Sequence, residues 1–504
     1  MRELFDGEKE RRRLDDGFDY VIVGSGAAGA TAARVLADTG ASIAVVEEGP
    51  VVEPAGFGDA VFPAMKRMFR AQGAQAARGR AFIPVVQGSC LGGSTVINSA
   101  IVWRIPDDVY EPWKTEYGLG DAIPLAALHR HWDLIERELS VAPTPPDAWG
   151  RSNELMDAGK TKLGVAASPT RRNVAACKGS GRCLTGCPHG AKQSMLLTYL
   201  PYAMARGARV VAAAKAERVV MKGDRAVAVE GRFLEPLSKR PIAPFRLEAR
   251  KAVIVAASAI QTPGLLARSG VRSPHLGEHF QAHPGAPMTG VFDSPVTMWR
   301  GATQGYDADE HRRDWRVKIE TISLPPEMIF ARMPGVGRRW LETMSEAGHL
   351  VVWAAQMRAY ARGSVRERFF GTDIAYDLEP RDMDNLRRGL RFAAEMMFAA
   401  GAREVITGIH GMPERLKSPD ECRLLEQAPA DPRHYSMIMS HLFGTARMSV
   451  RPRDGVVGTD FAVHGTRNLF VVDSSVFPTN LGVNPQHAIM GAAMHAALGL
   501  SGRL

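Results

Sequence analysis

The 504-residue chain is poor in cysteine, with five, and in aromatic side chains, at 7%. It contains no stretch near the ~18 consecutive apolar residues of a membrane span, no internal repeat and no long low-complexity segment. Five unevenly placed cysteines exclude the disulfide framework of a small secreted domain. The net charge is +9, yet Lys and Arg are interspersed with Asp and Glu, and no basic stripe or reading motif accompanies them. That pattern argues against nucleic-acid binding. Arg11, Arg12 and Arg13 do not open a twin-arginine export signal, because Asp15 and Asp16 stand where its apolar region should begin. The chain is therefore expected in the cytoplasm, unless a partner subunit ties it to a membrane or carries it across one.

What is present suits an α/β enzyme: 45% hydrophobic residues, 23% charged residues and 50 glycines. The length exceeds one ordinary core and favours two or three domains. Residues 19–23 read as a buried strand, followed at once by Gly24-Ser25-Gly26-Ala27-Ala28-Gly29 and an alanine-rich helix over 30–37. In such a turn Gly24 permits the tight bend and Gly26 lets the backbone approach a pyrophosphate. Gly29 lets helix pack on strand, and the helix N-terminus receives the phosphate charge. A second strand, 42–46, ends at Glu47, placed to accept hydrogen bonds from ribose hydroxyls. This is a dinucleotide site, but the motif alone does not choose between NAD and FAD.

Four further segments make that choice. Residues 88–98 form a second glycine-rich turn with Gly92, Gly93, Ser94 and Asn98. An apolar strand over 252–256 leads into Ser258-Ala259-Ile260-Gln261-Thr262-Pro263-Gly264. Near the C-terminus, His441-Leu442-Phe443-Gly444-Thr445-Ala446-Arg447-Met448 precedes Gly482-Val483-Asn484-Pro485. Together these resemble the signatures of the glucose–methanol–choline (GMC) oxidoreductase family over nearly the whole chain. His279 and Ala282 depart from that pattern, standing where the family has Asn and Asp.

The resemblance implies FAD and an α/β fold: a Rossmann-like FAD-binding domain with a discontinuous substrate domain of α+β type. The expected parts are FAD-binding at 15–125, a cap with the cysteine segment at 126–195, and FAD-binding again at 196–285. A substrate-binding part at 286–435 and a catalytic FAD-binding part at 436–504 complete the chain. The same resemblance sets Ala216, in a strand pair over 208–220, against adenine. It sets Asp473 at the ribityl and pyrophosphate groups, and Pro485 at the turn approaching the flavin ring. Removing a hydride from carbon is easiest as the alcohol becomes an alkoxide, so such a site needs a base and a charge-holding donor. An imidazole, with its pKa of ~6.5, suits the first task. His441 is the expected base and Asn484 the expected donor, with His487 as pocket lining or packing.

Cys177, Cys183 and Cys187 follow the spacing C-x5-C-x3-C-P, which fits neither zinc pairs nor the four-cysteine ferredoxin run. The segment resembles that of bacterial FAD-dependent sugar dehydrogenases carrying a [3Fe-4S] cluster, and equally that of long-chain alcohol and sterol oxidising members. A cluster, reduced structural thiols, zinc and a disulfide all stay open. A cluster would pass electrons to a cytochrome or quinone partner and make a dehydrogenase, the expected activity. Without one, oxygen would reoxidise the flavin, making an alcohol or sterol oxidase. A flavin-dependent lyase and an electron-relay subunit are the readings of another class. Residues 324–340, rich in apolar side chains and proline, read as a lid over an apolar pocket, which favours lipid-like or sterol-like alcohols over sugars.

Overall fold

The computed structural model describes residues 3–58, 60–369 and 371–504. Two eight-stranded sheets organise it. The strand Leu14–Val23 is apolar and buried at its C-terminal end because parallel neighbours flank it: Ile43–Val46 on one side and Pro241–Val255 on the other. Arg209–Ala212 continues the parallel sheet beyond Ile43–Val46, with Leu4–Asp6 at its edge. Leu469–Val471 pairs in parallel with the far side of Pro241–Val255. The other half of that long strand turns antiparallel and carries Arg225–Leu234 and then Ala214–Lys222.

The expected strand pair over 208–220 is not a pair. Ala213 adopts a left-handed φ of +53° and redirects the chain, so the two strands join opposite regions of the same sheet. The helix Ala27–Ala37 lies on this sheet and the terminal helix Gln486–Leu500 packs on that helix, both rich in small buried residues that allow close approach.

The second sheet is antiparallel. Gln281–Val291 pairs with Leu350–Met357, which pairs with Val317–Ile322, then Tyr306–Ala308 and Ala167–Pro169. Ile438–Phe443 pairs antiparallel with Gln281–Val291 of this sheet. Its other side is covered by the helix Pro380–Ala399, which begins with Pro380 in its first turn and a capping box of Glu379 and Asp382. Each sheet has its own apolar core. No helix among the described residues is long and apolar enough to cross a membrane.

Candidate active site

The strand Leu14–Val23 delivers Gly24 at φ +109°, a conformation costly for a residue with a Cβ. Glu47 then ties the turn together. Its Oε2 accepts from the Ser25 amide at 3.1 Å and the Ser25 hydroxyl at 2.6 Å, and its Oε1 accepts from the Gly49 amide at 2.9 Å. Burial pushes the Glu47 carboxyl up, against those hydrogen bonds. The Ser25 hydroxyl in turn accepts from the Gly92 amide at 2.9 Å, which joins the first glycine turn to the second.

Between the sheets lies a cavity of about 600 Å³. Gly24, Gly26, Ala27 and Ala28 line it, as do Glu47 and, from the second turn, Gly93, Ser94 and Asn98. Ala216, Asp473 and Pro485 lie on the same wall. Gly29 and Gly92 do not: Gly29 packs against the Gly24 carbonyl and Ala256, and Gly92 shapes the second turn at φ +93°. Their role is to hold the turns together.

The cavity fits FAD. Two helix N-termini, at Ala27 and Gln486, open onto it and favour anionic groups. Gln87 Oε1 and Ser99 Oγ line it and have no hydrogen-bond partner among the described residues, as expected of a wall built for a polar ligand. Asp473 is anchored by the Ser258 amide and the Thr262 hydroxyl, at 3.0 and 2.6 Å, and by the Ser475 amide. Asn98 donates to Gln486 Oε1 at 2.6 Å, tying the second turn to the terminal helix.

His441 and Asn484, 43 residues apart, converge on this cavity. The strand Ile438–Phe443 supplies the imidazole, and the turn before the terminal helix supplies the amide, whose Nδ2 lies 3.5 Å from His441 Nε2. Burial lowers the His441 pKa to about 4, with Glu320 opposing and Lys318 adding to the shift. His441 is therefore neutral near pH 7.

Two neighbours not anticipated from sequence hold this pair. His283 Nδ1 lies 3.1 Å from His441 Nδ1, while His283 Nε2 accepts from the Gly482 amide at 2.8 Å. Lys318, 1% exposed, donates to Asn484 Oδ1 at 2.8 Å. Its ammonium is also paired with Glu320 at 2.6 Å and Asp307 at 3.3 Å. Burial lowers the Lys318 pKa, but the two carboxylates outweigh it and the net shift is upward. The Asp307 carboxyl is pushed up to about 6 by burial, against the attraction of Lys318.

The strand containing Lys318 explains how such a group comes to be buried. Val317, Ile319 and Thr321 point to one face, and Lys318, Glu320 and Ile322 to the other. Their cross-strand partners Gln356, Ala354 and Val352 line the cavity, so the polar face of the strand turns inward. The sequence signal was there, a strict alternation of apolar and charged residues, but alternation does not say which face meets solvent.

His487, fully buried, lies off the cavity wall, and neither ring nitrogen has a partner among the described residues. It packs. Cys90 is buried as well, and burial pushes its thiol well up. Of the expected lid, Leu324, Met328 and Arg332 line the cavity, whereas Met333 and Trp340 do not.

Cys177, Cys183 and Cys187 border a separate small cavity of about 20 Å³. Arg172 inserts its guanidinium between two of them, with Nη2 at 3.1 Å from Cys183 Sγ and Nη1 at 3.8 Å from Cys177 Sγ. Burial raises the Cys183 thiol, but Arg172 and Lys192 outweigh it and hold it below its ordinary value. Among the described residues no three His, Cys, Asp or Glu side chains are grouped to hold a metal ion. Arg172 thus occupies an approach to the sulfurs of Cys177 and Cys183 that an iron–sulfur cluster would need free.

Comparison with known proteins identifies the family. The profiles of the GMC oxidoreductase N-terminal and C-terminal regions match residues 18–285 and 361–493. An uncharacterised GMC-type oxidoreductase of Mycobacterium tuberculosis is 35% identical over 492 residues, covering 95% of this chain and 75% of its own. The long-chain-alcohol oxidase FAO1 of Arabidopsis thaliana is 27% identical over 514 residues, covering 96% and 67%. Among solved structures, a formate oxidase of Aspergillus oryzae shares the fold with a TM-score of 0.72 at 16% identity, covering 97% of this chain and 99% of the other. A pyridoxine 4-oxidase from Mesorbium loti gives 0.70 at 17%, covering 95% and 98%. The chain belongs to the GMC oxidoreductase family and is an FAD-dependent oxidoreductase.

Proposed function

We propose that the protein oxidises the CH–OH group of an apolar alcohol, with the substrate oxygen seated between His441 Nε2 and Asn484 Nδ2. The observation that carries this reading is the convergence of those two side chains, from separate elements, on the cavity that the glycine turns also line. Bound FAD supplies the hydride acceptor. The chain's own residues hold the oxygen, fix the direction of the departing hydrogen and keep bulk water from the reacting carbon.

Ile322, Leu324, Met328, Val352, Ile438 and Leu442 support an apolar substrate, since they line the cavity. The name of the Arabidopsis relative, a long-chain-alcohol oxidase, points the same way. The arrangement of the cysteines supports thiols rather than a [3Fe-4S] cluster, and with it an oxygen-using enzyme rather than a dehydrogenase feeding a cytochrome or quinone.

Anaerobic mixing of the flavin-loaded protein with long-chain alcohols, sterols, glucose and sorbitol tests the reading. Bleaching of the flavin by the apolar alcohols is expected. Bleaching by the sugars alone would overturn the substrate class. A flavin that none of them reduces would favour a lyase or a relay subunit.

A further inference from the structure

We infer that His283 and Lys318 are positioning residues that preset His441 and Asn484 as two hydrogen-bond donors aimed at one oxygen. The alcohol then reacts as its alkoxide, and His441 is a donor where sequence reasoning makes it the base. This inference rests on the alcohol reading for its chemistry, though not for its geometry.

An ammonium has three N–H donors and no acceptor. Lys318 donates to Asp307 Oδ2 and Asn484 Oδ1 and is ion-paired with Glu320. The carboxylates are held in turn: Trp103 Nε1 donates to Asp307 Oδ2 at 3.3 Å and Gln304 Nε2 to Glu320 Oε2 at 2.7 Å. With its oxygen facing an ammonium, the Asn484 amide cannot flip. Its NH₂ must face His441 and the cavity.

His283 fixes which nitrogen of His441 carries the proton. A neutral imidazole carries one proton, and the nitrogen that accepts a hydrogen bond is the bare one. His283 Nε2 accepts from the Gly482 amide, so the His283 proton sits on Nδ1. That Nδ1–H is donated across 3.1 Å to His441 Nδ1, which leaves the His441 proton on Nε2. His441 Nε2–H and Asn484 Nδ2–H thus face each other at 3.5 Å. Two donors gain nothing from one another, whereas one oxygen placed between them satisfies both. For His441 to be a base at Nε2, its proton would have to move to Nδ1, and His283 would then have to present a second N–H to the Gly482 amide.

The proton balance follows. The alcohol O–H bond breaks, the electron pair stays on oxygen under the two donors, and the proton leaves to water. The carbon then gives up its hydride and becomes a carbonyl. The charged and titratable groups around the pair are Lys318, Glu320 and Asp307, with Arg358 and Arg316 facing His283.

Two measurements on the FAD-loaded enzyme decide the matter. The rate constant of flavin reduction divided by the apparent substrate dissociation constant is followed from pH 5 to pH 10. An alkoxide seat predicts a rise of up to tenfold per pH unit through neutrality. A histidine base titrating at about 4 predicts a flat profile above pH 5, and a flat profile overturns the inference.

The second measurement needs no turnover: decanoate is titrated into the oxidised enzyme and read from the flavin absorbance. The wild type is expected to bind it, and Lys318→Met with Glu320→Gln, or His283→Leu, to bind it at least tenfold more weakly with FAD content preserved. Lys318→Arg should restore much of the binding. In an Asn484→Ala background the Lys318 and Glu320 changes should add nothing. Unaltered decanoate binding in the variants, or none in the wild type, overturns the inference. If no alcohol bleaches the flavin, the proposed reaction fails, and the decanoate titration still decides the two-donor seat.

Discussion

Gly26 and Gly29 lie three residues apart in one turn, yet a methyl group added at each should have different consequences. A Cβ at Gly29 would stand 2.9 Å from the Gly24 carbonyl carbon and 3.3 Å from Ala256 Cβ. Carbon atoms pack best at ~3.5–4.0 Å, so the helix Ala27–Ala37 would have to retreat from its strand by on the order of 1 Å. Overpacking of that kind costs roughly 1–3 kcal/mol, and here it also opens the turn that receives FAD. At Gly26 the nearest protein atom to an added Cβ is Gly93 Cα at 4.0 Å, and the backbone, at φ −72°, tolerates alanine. Gly26→Ala should therefore leave the flavin-free protein within about 0.5 kcal/mol of wild type. Its methyl group nonetheless enters the cavity where the pyrophosphate must approach the backbone, and FAD affinity should fall at least tenfold, about 1.4 kcal/mol. Gly29→Ala should lower both. The assay is thermal unfolding of flavin-free protein beside FAD titration followed by flavin fluorescence. A Gly26→Ala protein that binds FAD as wild type does, or a Gly29→Ala protein of unchanged stability, would refute the placement of the cofactor against this turn.

Asn484→Ala should slow flavin reduction by roughly 10²–10³-fold, as removal of one oxyanion donor does, with FAD content unchanged; a loss below tenfold in stopped-flow measurement would remove Asn484 from the reacting centre. The protein should also be labile in mild acid. His131, His279, His441 and His487 have pKa values lowered to about 4, chiefly by burial, so each is neutral in the folded state and takes up a proton on unfolding below pH ~6.5. Their contribution is fully present above pH ~6.5 and is lost as pH falls towards 4, at roughly 1.4 kcal/mol per pH unit for the fully buried His487 alone. A thermal midpoint equal at pH 7 and pH 5 would contradict this. Finally, anaerobically purified protein should contain FAD and less than one iron per chain, and should form peroxide in air with its alcohol. Three irons with matching acid-labile sulfide would reverse the assignment of Cys177, Cys183 and Cys187.

The dinucleotide half was legible because its signals are local. A buried apolar strand, a turn that needs glycine at Gly24 and an acidic residue ending the next strand lie within about thirty residues, and each constrains its neighbours directly. The starts of the helices were partly legible too. The capping box and proline that begin Pro380–Ala399 are written in the sequence. His441 and Asn484 could be named from their motifs because a motif carries position, if not geometry.

What the sequence could not decide was where faces point and which distant groups meet. Ala213 looks like any alanine in a strand, and only its left-handed backbone separates the two strands around it. Val317-Lys318-Ile319-Glu320 reads as a half-exposed strand, since alternating polarity has the same period whichever face meets water. Packing the second sheet over the dinucleotide-binding half turned the charged face inward. Lys318, Glu320 and Asp307 then had to satisfy one another and Asn484, because a buried charge is tolerated only when it is paired. The cysteines show the converse. Their spacing left a metal open, and the fold placed Arg172 between two of the sulfurs. Local sequence thus determined the turns, strands and helix ends of this protein, where interactions span a few residues. The tertiary structure decided the protonation and partnership of its reacting groups, which depend on groups brought together from as many as 199 residues apart.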